Sequence, residues 1–251
     1  CLQFQLKGEH SGAEAEKELE IRMHKAISVI QFKVEGETIK RNPSFHLEKR
    51  NLLHLIDYET GKITLDGKEY ELLDHYFPTI DPKDPYALTE EEEDIMERLA
   101  CAFLNCEKLQ KHMRFLLNKG SLYKVYNNLY HGCVPLCEDG SLKTVRIYGH
   151  EYKGKSLYEV LESYVRKGFY AIDAGERQRG RDMMWYIWLS ENSPLFGKDK
   201  MATFERYFLA DKETHKEQKN PYYHLLENEE VIDGILKEFG LPEQGTHSMF
   251  R

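Results

Sequence analysis

Ile63-Thr64-Leu65-Asp66-Gly67-Lys68-Glu69-Tyr70-Glu71-Leu72 is the stretch that decides the fold class. Two short β-prone runs flank Asp-Gly, the pair favoured by a type I′ turn because both central residues need positive φ. A hairpin is therefore predicted between segments that read as helix. Upstream, Glu14 to Val34 places Leu19, Met23, Ala26, Ile27, Ile30 and Val34 on one helical stripe. Asn42-Pro43 interrupts it, and a shorter helix is expected from about Leu47 to Ile56. Downstream, Pro78, Pro82 and Pro85 make Phe77 to Tyr86 an extended loop, since each proline removes a donor and restricts the residue before it.

Thr89-Glu-Glu-Glu92 is a capping box that opens the next helix, with its acids at the favourable end of the helix dipole. Ile95, Met96, Leu99, Phe103 and Leu104 give that helix an apolar face, which continues through Leu109, Met113 and Leu116 to Gly120, as one helix or as two with a break near Asn105. Leu122 to Tyr130 reads as strand, Thr144 to Lys153 as a second hairpin, and Ser156-Leu-Tyr-Glu159 as the cap of a helix with Leu157, Val160, Leu161, Tyr164 and Val165 inward. Glu176 to Asp182 reads as a polar surface loop and Asp182 to Leu189 as a buried strand. A final helix from about Glu229 to Phe239, with Val231, Ile232, Ile235, Leu236 and Phe239 inward, stops at Gly240 and Pro242. Interspersed strands and helices place the chain in the mixed α/β (α+β) class.

The totals agree with a folded protein. In 251 residues, 41% are hydrophobic and 31% charged, a balance that supports a core and argues against a disordered tail. Sixteen Tyr and twelve Phe imply an aromatic core or cleft. A net charge of -8 offers no counterion release on nucleic acid, so a polyanion partner is not expected. The five cysteines, Cys1, Cys101, Cys106, Cys133 and Cys137, are odd in number and lack CxxC spacing, as in a reduced cytosolic chain. No apolar run reaches a membrane span and no signal peptide is recognisable, so no membrane partner is expected. The first residue is Cys rather than Met, which suits a fragment or a processed product.

Gly149-His-Glu-Tyr-Lys-Gly154-Lys155-Ser156 fits the P-loop pattern by letter. A P-loop needs a buried parallel strand before it, whereas Thr144 to Tyr148 is short and half polar and the intervening residues read as the returning arm of a hairpin. Nucleotide binding is disfavoured. His131-Gly132-Cys133-Val134-Pro135 carries a different signal. A His at a strand end followed by Gly aims its ring into a cleft and suits a transition metal; the plain alternative is a turn His satisfied by backbone. Cys133-x3-Cys137 lies close to it, but no second pair completes a zinc site. Phe196-Gly-Lys198-Asp-Lys200-Met-Ala-Thr-Phe-Glu-Arg206 is rich in cations and aromatics, which is the chemistry of a phosphate grip and equally that of a solvated turn. His24, His112 and His215 each adjoin Lys and read as surface residues.

Several stretches together resemble one family: Met23-His-Lys-Ala-Ile27, Phe77-Pro-Thr-Ile-Asp-Pro82, Leu88-Thr-Glu-Glu-Glu92, Phe103-Leu-Asn105, His131-Gly-Cys-Val-Pro135, Asp182-Met-Met-Trp-Tyr186, Asn192 to Met201, and Thr203-Phe-Glu-Arg-Tyr-Phe208 through His215 to Asn220-Pro-Tyr-Tyr223. The chain is similar to class 3 fructose-1,6-bisphosphatase, the Firmicutes type, over nearly its whole length. That family in turn resembles the calcineurin-like metallophosphoesterases, which include the serine/threonine phosphoprotein phosphatases. The likeness implies part of a β-sandwich flanked by helices. Residues 1–120 would be a mainly helical insert with a small hairpin, and 121–251 an incomplete C-terminal part of the phosphoesterase domain.

His131-Gly132 looks like the H-G block of that superfamily, which makes His131 the expected ligand of a divalent metal pair, manganese by family likeness. Asp182-Met-Met-Trp185 looks like the D-L-L-W block that follows. The D-x-H, G-D-x-x-D and G-N-H blocks are missing, and His247 comes too early to be the final ligand. The chain therefore looks like a middle portion that is inactive alone and has hydrophobic surface without a partner. The family reaction is hydrolysis of the 1-phosphate of fructose 1,6-bisphosphate in gluconeogenesis, in the cytoplasm. Lys198, Lys200 and Arg206 are the expected substrate contacts by residue type, and no catalytic side chain is assigned. A homo-oligomer is compatible with this reading. The alternatives are a phosphoprotein phosphatase-like activity, or a non-catalytic effector-binding or oligomerisation segment built on Glu90 to Lys119 and the loop before it.

Overall fold

The computed structural model describes residues 12–119, 123–124, 129–130 and 132–241. Among them, in chain order, are α1 (Gly12–Arg41), β1 (Ile56–Asp57), β2 (Lys62–Leu65), β3 (Lys68–Glu71), α2 (Glu90–Asn105), α3 (Glu107–Lys119), β4 (Tyr123–Lys124) and β5 (Leu129–Tyr130). They are followed by β6 (Val145–Ile147), β7 (His150–Tyr152), α4 (Gly154–Tyr170), α5 (Ala174–Leu189), α6 (Thr203–Phe208) and α7 (Glu229–Glu238). The strands form three small antiparallel sheets, β1-β2-β3, β4-β5 and β6-β7. The mixed α+β class holds. No helix among the described residues is long and apolar enough to cross a membrane. Cys1, Leu122, His131 and His247 lie outside the described residues.

The chain divides into two compact units, Cys1–Cys106 with Ala202–Lys216, and Glu107–Met201 with Glu217–Arg251. In the first, the Asp-Gly hairpin forms as its sequence dictates: Leu65 pairs with Lys68 across Asp66 (φ 49°) and Gly67 (φ 78°). α1 ends where Asn42-Pro43 forbids another turn. It runs further than the stripe suggested, and the stripe needs correcting. Leu19, Met23 and Ile27 are exposed, Ala26 and Ile30 of the stripe are buried as expected, and burial extends to Val29, Phe32, Lys33, Glu35, Thr38 and Ile39. The second half of the helix is covered on several sides, so one apolar stripe does not describe it. The helix expected over Leu47 to Ile56 is instead two single 3-10 turns, Glu48–Arg50 and Leu53–Leu55, leading into β1. The core gathers Ala26, Val29 and Phe32 with Leu53, Ile63, Phe77, Tyr86, Phe204 and Phe208.

Thr89 and Glu92 form the capping box in full: Glu92 N–H donates to Thr89 Oγ1 at 3.3 Å and Thr89 N–H to Glu92 Oε2 at 3.0 Å. The helical region breaks at Cys106, giving α2 and α3. The apolar face of α2 stays largely exposed, with Phe103 at 61% and Leu104 at 67%, and its buried residue is Glu92 in the first turn.

In the second unit, α4 begins at Gly154, two residues before Ser156. Ser156 Oγ accepts from Lys153 N–H at 3.1 Å, so it is the third helical residue and not the cap. The run expected as loop and buried strand over Glu176 to Leu189 is one helix, α5, whose cap is Asp173. Buried Gly180, Met183 and Ile187 alternate with buried Asp182, Tyr186 and Leu189 at three- and four-residue spacing, while Met184 and Trp188 face out. The aromatic and β-branched run suggested a strand, but tertiary packing on α4 sets the helix. There Gly180 meets backbone: a Cβ would lie 2.2 Å from Gly168 N, so only glycine permits this crossing. A second core joins Cys133, Val134, Leu136, Tyr158, Tyr222, Ile235 and Phe239.

Candidate functional site

The segment after position 131 is held from three directions, all within the second unit. Gly132 adopts φ 93°, and a Cβ there would fall 2.1 Å from the Pro194 carbonyl oxygen. Both conformation and space demand glycine. Cys133 N–H donates to that same Pro194 oxygen at 2.8 Å. From α4, the buried Tyr158 hydroxyl donates to the Cys133 carbonyl at 2.7 Å. From the far side, Leu136 N–H donates to Asn220 Oδ1 at 3.1 Å. Asn220 Oδ1 also accepts from Tyr222 N–H at 3.0 Å, and Asn220 N–H donates to the Gly197 carbonyl at 3.0 Å. The Gly132–Leu136 segment, the Ser193–Gly197 turn and the Asn220–Tyr223 turn thus form one hydrogen-bonded frame.

Burial pushes the Cys133 thiol up to about 12, and it pushes the Tyr158 hydroxyl up as well. In the metal-free chain burial therefore favours the neutral Cys133 thiol, a poor nucleophile. Cys137, Cys101 and Cys106 are exposed.

Beside the frame runs a strip of cations. Lys198 Nζ donates to Glu217 Oε2 at 2.7 Å and lies 5.2 Å from the Phe196 ring centre. Its strand partner across an isolated antiparallel bridge is Lys219, whose Nζ sits 5.5 Å from the Tyr223 ring centre. Asp199 ties the two segments together by accepting from Gln218 N–H at 2.7 Å and donating its own N–H to the Gln218 carbonyl at 2.9 Å. Lys200 follows, half-buried, its N–H on Asp199 Oδ1 at 2.8 Å. Lys198 and Lys200 therefore belong to this unit, together with Lys219, which residue type alone did not single out. Arg206 is exposed on α6, in the first unit. Tyr158, Asn220 and Glu217 were also missed; only Asn220-Pro221 carried a sequence signal, that of a turn.

The P-loop pattern is a hairpin. β6 turns at Tyr148 (φ 46°) and Gly149 (φ 86°) into β7, and the Lys155 N–H that would face a phosphate donates to Glu238 Oε1 at 3.1 Å. A carboxylate already fills that place.

Among the described residues no group of three or more His, Cys, Asp or Glu side chains is arranged to hold a metal. His131, the expected ligand, lies outside them.

The sequence profile of Firmicute fructose-1,6-bisphosphatase matches residues 1–249. The chain belongs to this family. It is 52% identical over 251 residues to a class 3 fructose-1,6-bisphosphatase of Clostridioides difficile, covering 98% of this chain and 38% of that relative. It is 49% identical to that of Clostridium acetobutylicum over 98% of this chain and 38% of the relative, and 48% identical to that of Listeria innocua over 98% and 39%. Within the family, then, the chain spans about two-fifths of the length of the curated relatives it matches. No solved structure matches.

Proposed function

We propose that this chain supplies part of a fructose-1,6-bisphosphatase, which releases the 1-phosphate of fructose 1,6-bisphosphate to give fructose 6-phosphate in gluconeogenesis, in the cytoplasm. The observation that carries the reading is the family match over residues 1–249. The frame around Gly132–Leu136 supports it, because it holds the glycine of the H-G block at a positive φ, in a space that only glycine fits.

His131 is the proposed ligand of a divalent metal pair, manganese by family likeness, within a metallophosphoesterase-type sandwich. When bound, such a pair neutralises phosphoryl oxygens and renders a water acidic enough to attack at neutral pH. The described residues provide no complete ligand set. What this chain's own residues do is hold charge and shape. Lys198, Lys200 and Lys219 present ammonium groups on a strip pinned by Asp199 and Gln218, suited to the dispersed charge of a phosphate. Lys198 must exchange Glu217 for substrate to do so. Arg206 is kept as a substrate contact by residue type.

The second reading, a phosphoprotein phosphatase, rests on the same blocks and needs an open groove for peptide. The test is to place this chain in the Clostridioides difficile relative in exchange for its matching residues. Phosphate release from fructose 1,6-bisphosphate is then compared with release from a phosphopeptide. Turnover of the sugar bisphosphate alone is expected; preference for the phosphopeptide overturns the proposal.

A further inference from the structure

Two carboxylates and one guanidinium are buried together in the first unit. Glu35 comes from α1, Arg50 from the 3-10 turn before β1, and Glu205 from α6. Their side chains are 3%, 8% and 5% exposed. Arg50 Nε lies 3.8 Å from Glu35 Oε1 and Arg50 Nη1 lies 3.9 Å from Glu205 Oε1, both beyond hydrogen-bond length. Glu35 Oε1 is buried and accepts no hydrogen bond from any described residue. The third wall is Tyr86, whose ring packs against Gly36 and whose hydroxyl meets His54 Nδ1 at 2.8 Å. Glu48, Lys49 and Arg206, on the same elements, are exposed. Lys33, on α1, is committed to Glu92 and the Thr79 carbonyl. The charges that act on Glu35 are the Arg50 guanidinium, which favours its ionised form, and the Glu205 carboxylate, which opposes it.

An ionised carboxylate that is 3% exposed, with Oε1 accepting no hydrogen bond, is poorly solvated, and a protonated one depends less on water and hydrogen bonds. We propose that Glu35 is a proton-operated latch: it joins α1, the Glu48–Arg50 turn and α6 tightly when protonated and loosens them when ionised. Burial is the larger cause and Glu205 a smaller one in raising the Glu35 carboxyl from its usual 4.5 to about 7, against the lowering effect of Arg50. The sign follows. Below 4.5 the group is protonated folded or unfolded. Between 4.5 and 7 only the folded state holds the proton, so each rise of one pH unit costs about tenfold in the folded-to-open ratio. Above 7 both states are ionised and the loss is complete, at roughly two orders of magnitude.

The test is a carboxyl-carbon NMR titration of the intact 251-residue chain, with Glu35 assigned through its own side-chain couplings so that no variant is needed. A midpoint near 7 is expected; a midpoint near 4.5 overturns the proposal. Amide exchange of α1 and α6, corrected for intrinsic rates, should show opening that grows about tenfold per pH unit up to the midpoint and then levels. Glu35→Gln should abolish that slope. Glu205→Gln should lower the Glu35 midpoint and Arg50→Met should raise it. Opening that is flat with pH, or a midpoint unmoved in both neighbour variants, contradicts the latch.

Discussion

Tyr158 reaches out of α4 to donate its hydroxyl to the Cys133 carbonyl at 2.7 Å, with both residues fully buried. The bond ties the Gly132–Leu136 segment to the longest helix of the second unit. Tyr158→Phe keeps the ring's packing against Phe239 and leaves a buried carbonyl without its donor. A loss of about 1–3 kcal/mol is expected, read from urea unfolding. A loss near zero would mean that the carbonyl is satisfied otherwise.

Lys33 is entirely buried, donating to Glu92 Oε2 at 2.6 Å and to the Thr79 carbonyl at 2.5 Å. Glu92 is also the reciprocal member of the capping box. Lys33→Met strands a buried carboxylate, at about 3–5 kcal/mol in chemical unfolding. Adding Glu92→Gln removes that charge while keeping an acceptor for Thr89 N–H, so the double variant should recover much of the loss.

The thiols differ sharply in access. Burial holds Cys133 protonated up to about pH 12, while Cys101, Cys106 and Cys137 are exposed. Iodoacetamide at pH 8 should alkylate those three in the native chain and spare Cys133 until denaturant is added, as read by peptide mass spectrometry. Early labelling of Cys133 would show that its frame opens.

Lys198 and Glu217 form a partly exposed pair, whose removal should change stability by no more than about 1 kcal/mol. If Lys198 receives phosphate, Lys198→Ala in the chimaeric enzyme raises KM for fructose 1,6-bisphosphate. Glu217→Gln frees the ammonium and lowers it. Unchanged KM in both variants would remove Lys198 from the substrate contacts.

What could be read in advance was local. Asp66-Gly67 needs only its own backbone to define a turn, and Thr89 with Glu92 needs only one helical turn. α5 was misread because an apolar run of Met, Trp, Tyr and Ile has no local feature that outweighs its β-propensity; the Gly168–Gly180 contact that makes it a helix is tertiary. Glu92 could be read as a cap but not as the partner of Lys33. At the candidate site, Gly132 could be read as a turn glycine, whereas Pro194, Tyr158 and Asn220 are brought to it only by the fold. The family resemblance reached further than any of these signals because it summed many stretches at once.

The most direct measurement is made on the chimaera in which this chain replaces the matching residues of the Clostridioides difficile relative. With manganese supplied, the chimaera should release phosphate from fructose 1,6-bisphosphate, and His131→Ala should lose both that turnover and bound manganese while staying folded. A folded chimaera without turnover, or a His131→Ala variant with full manganese and full turnover, would contradict the account.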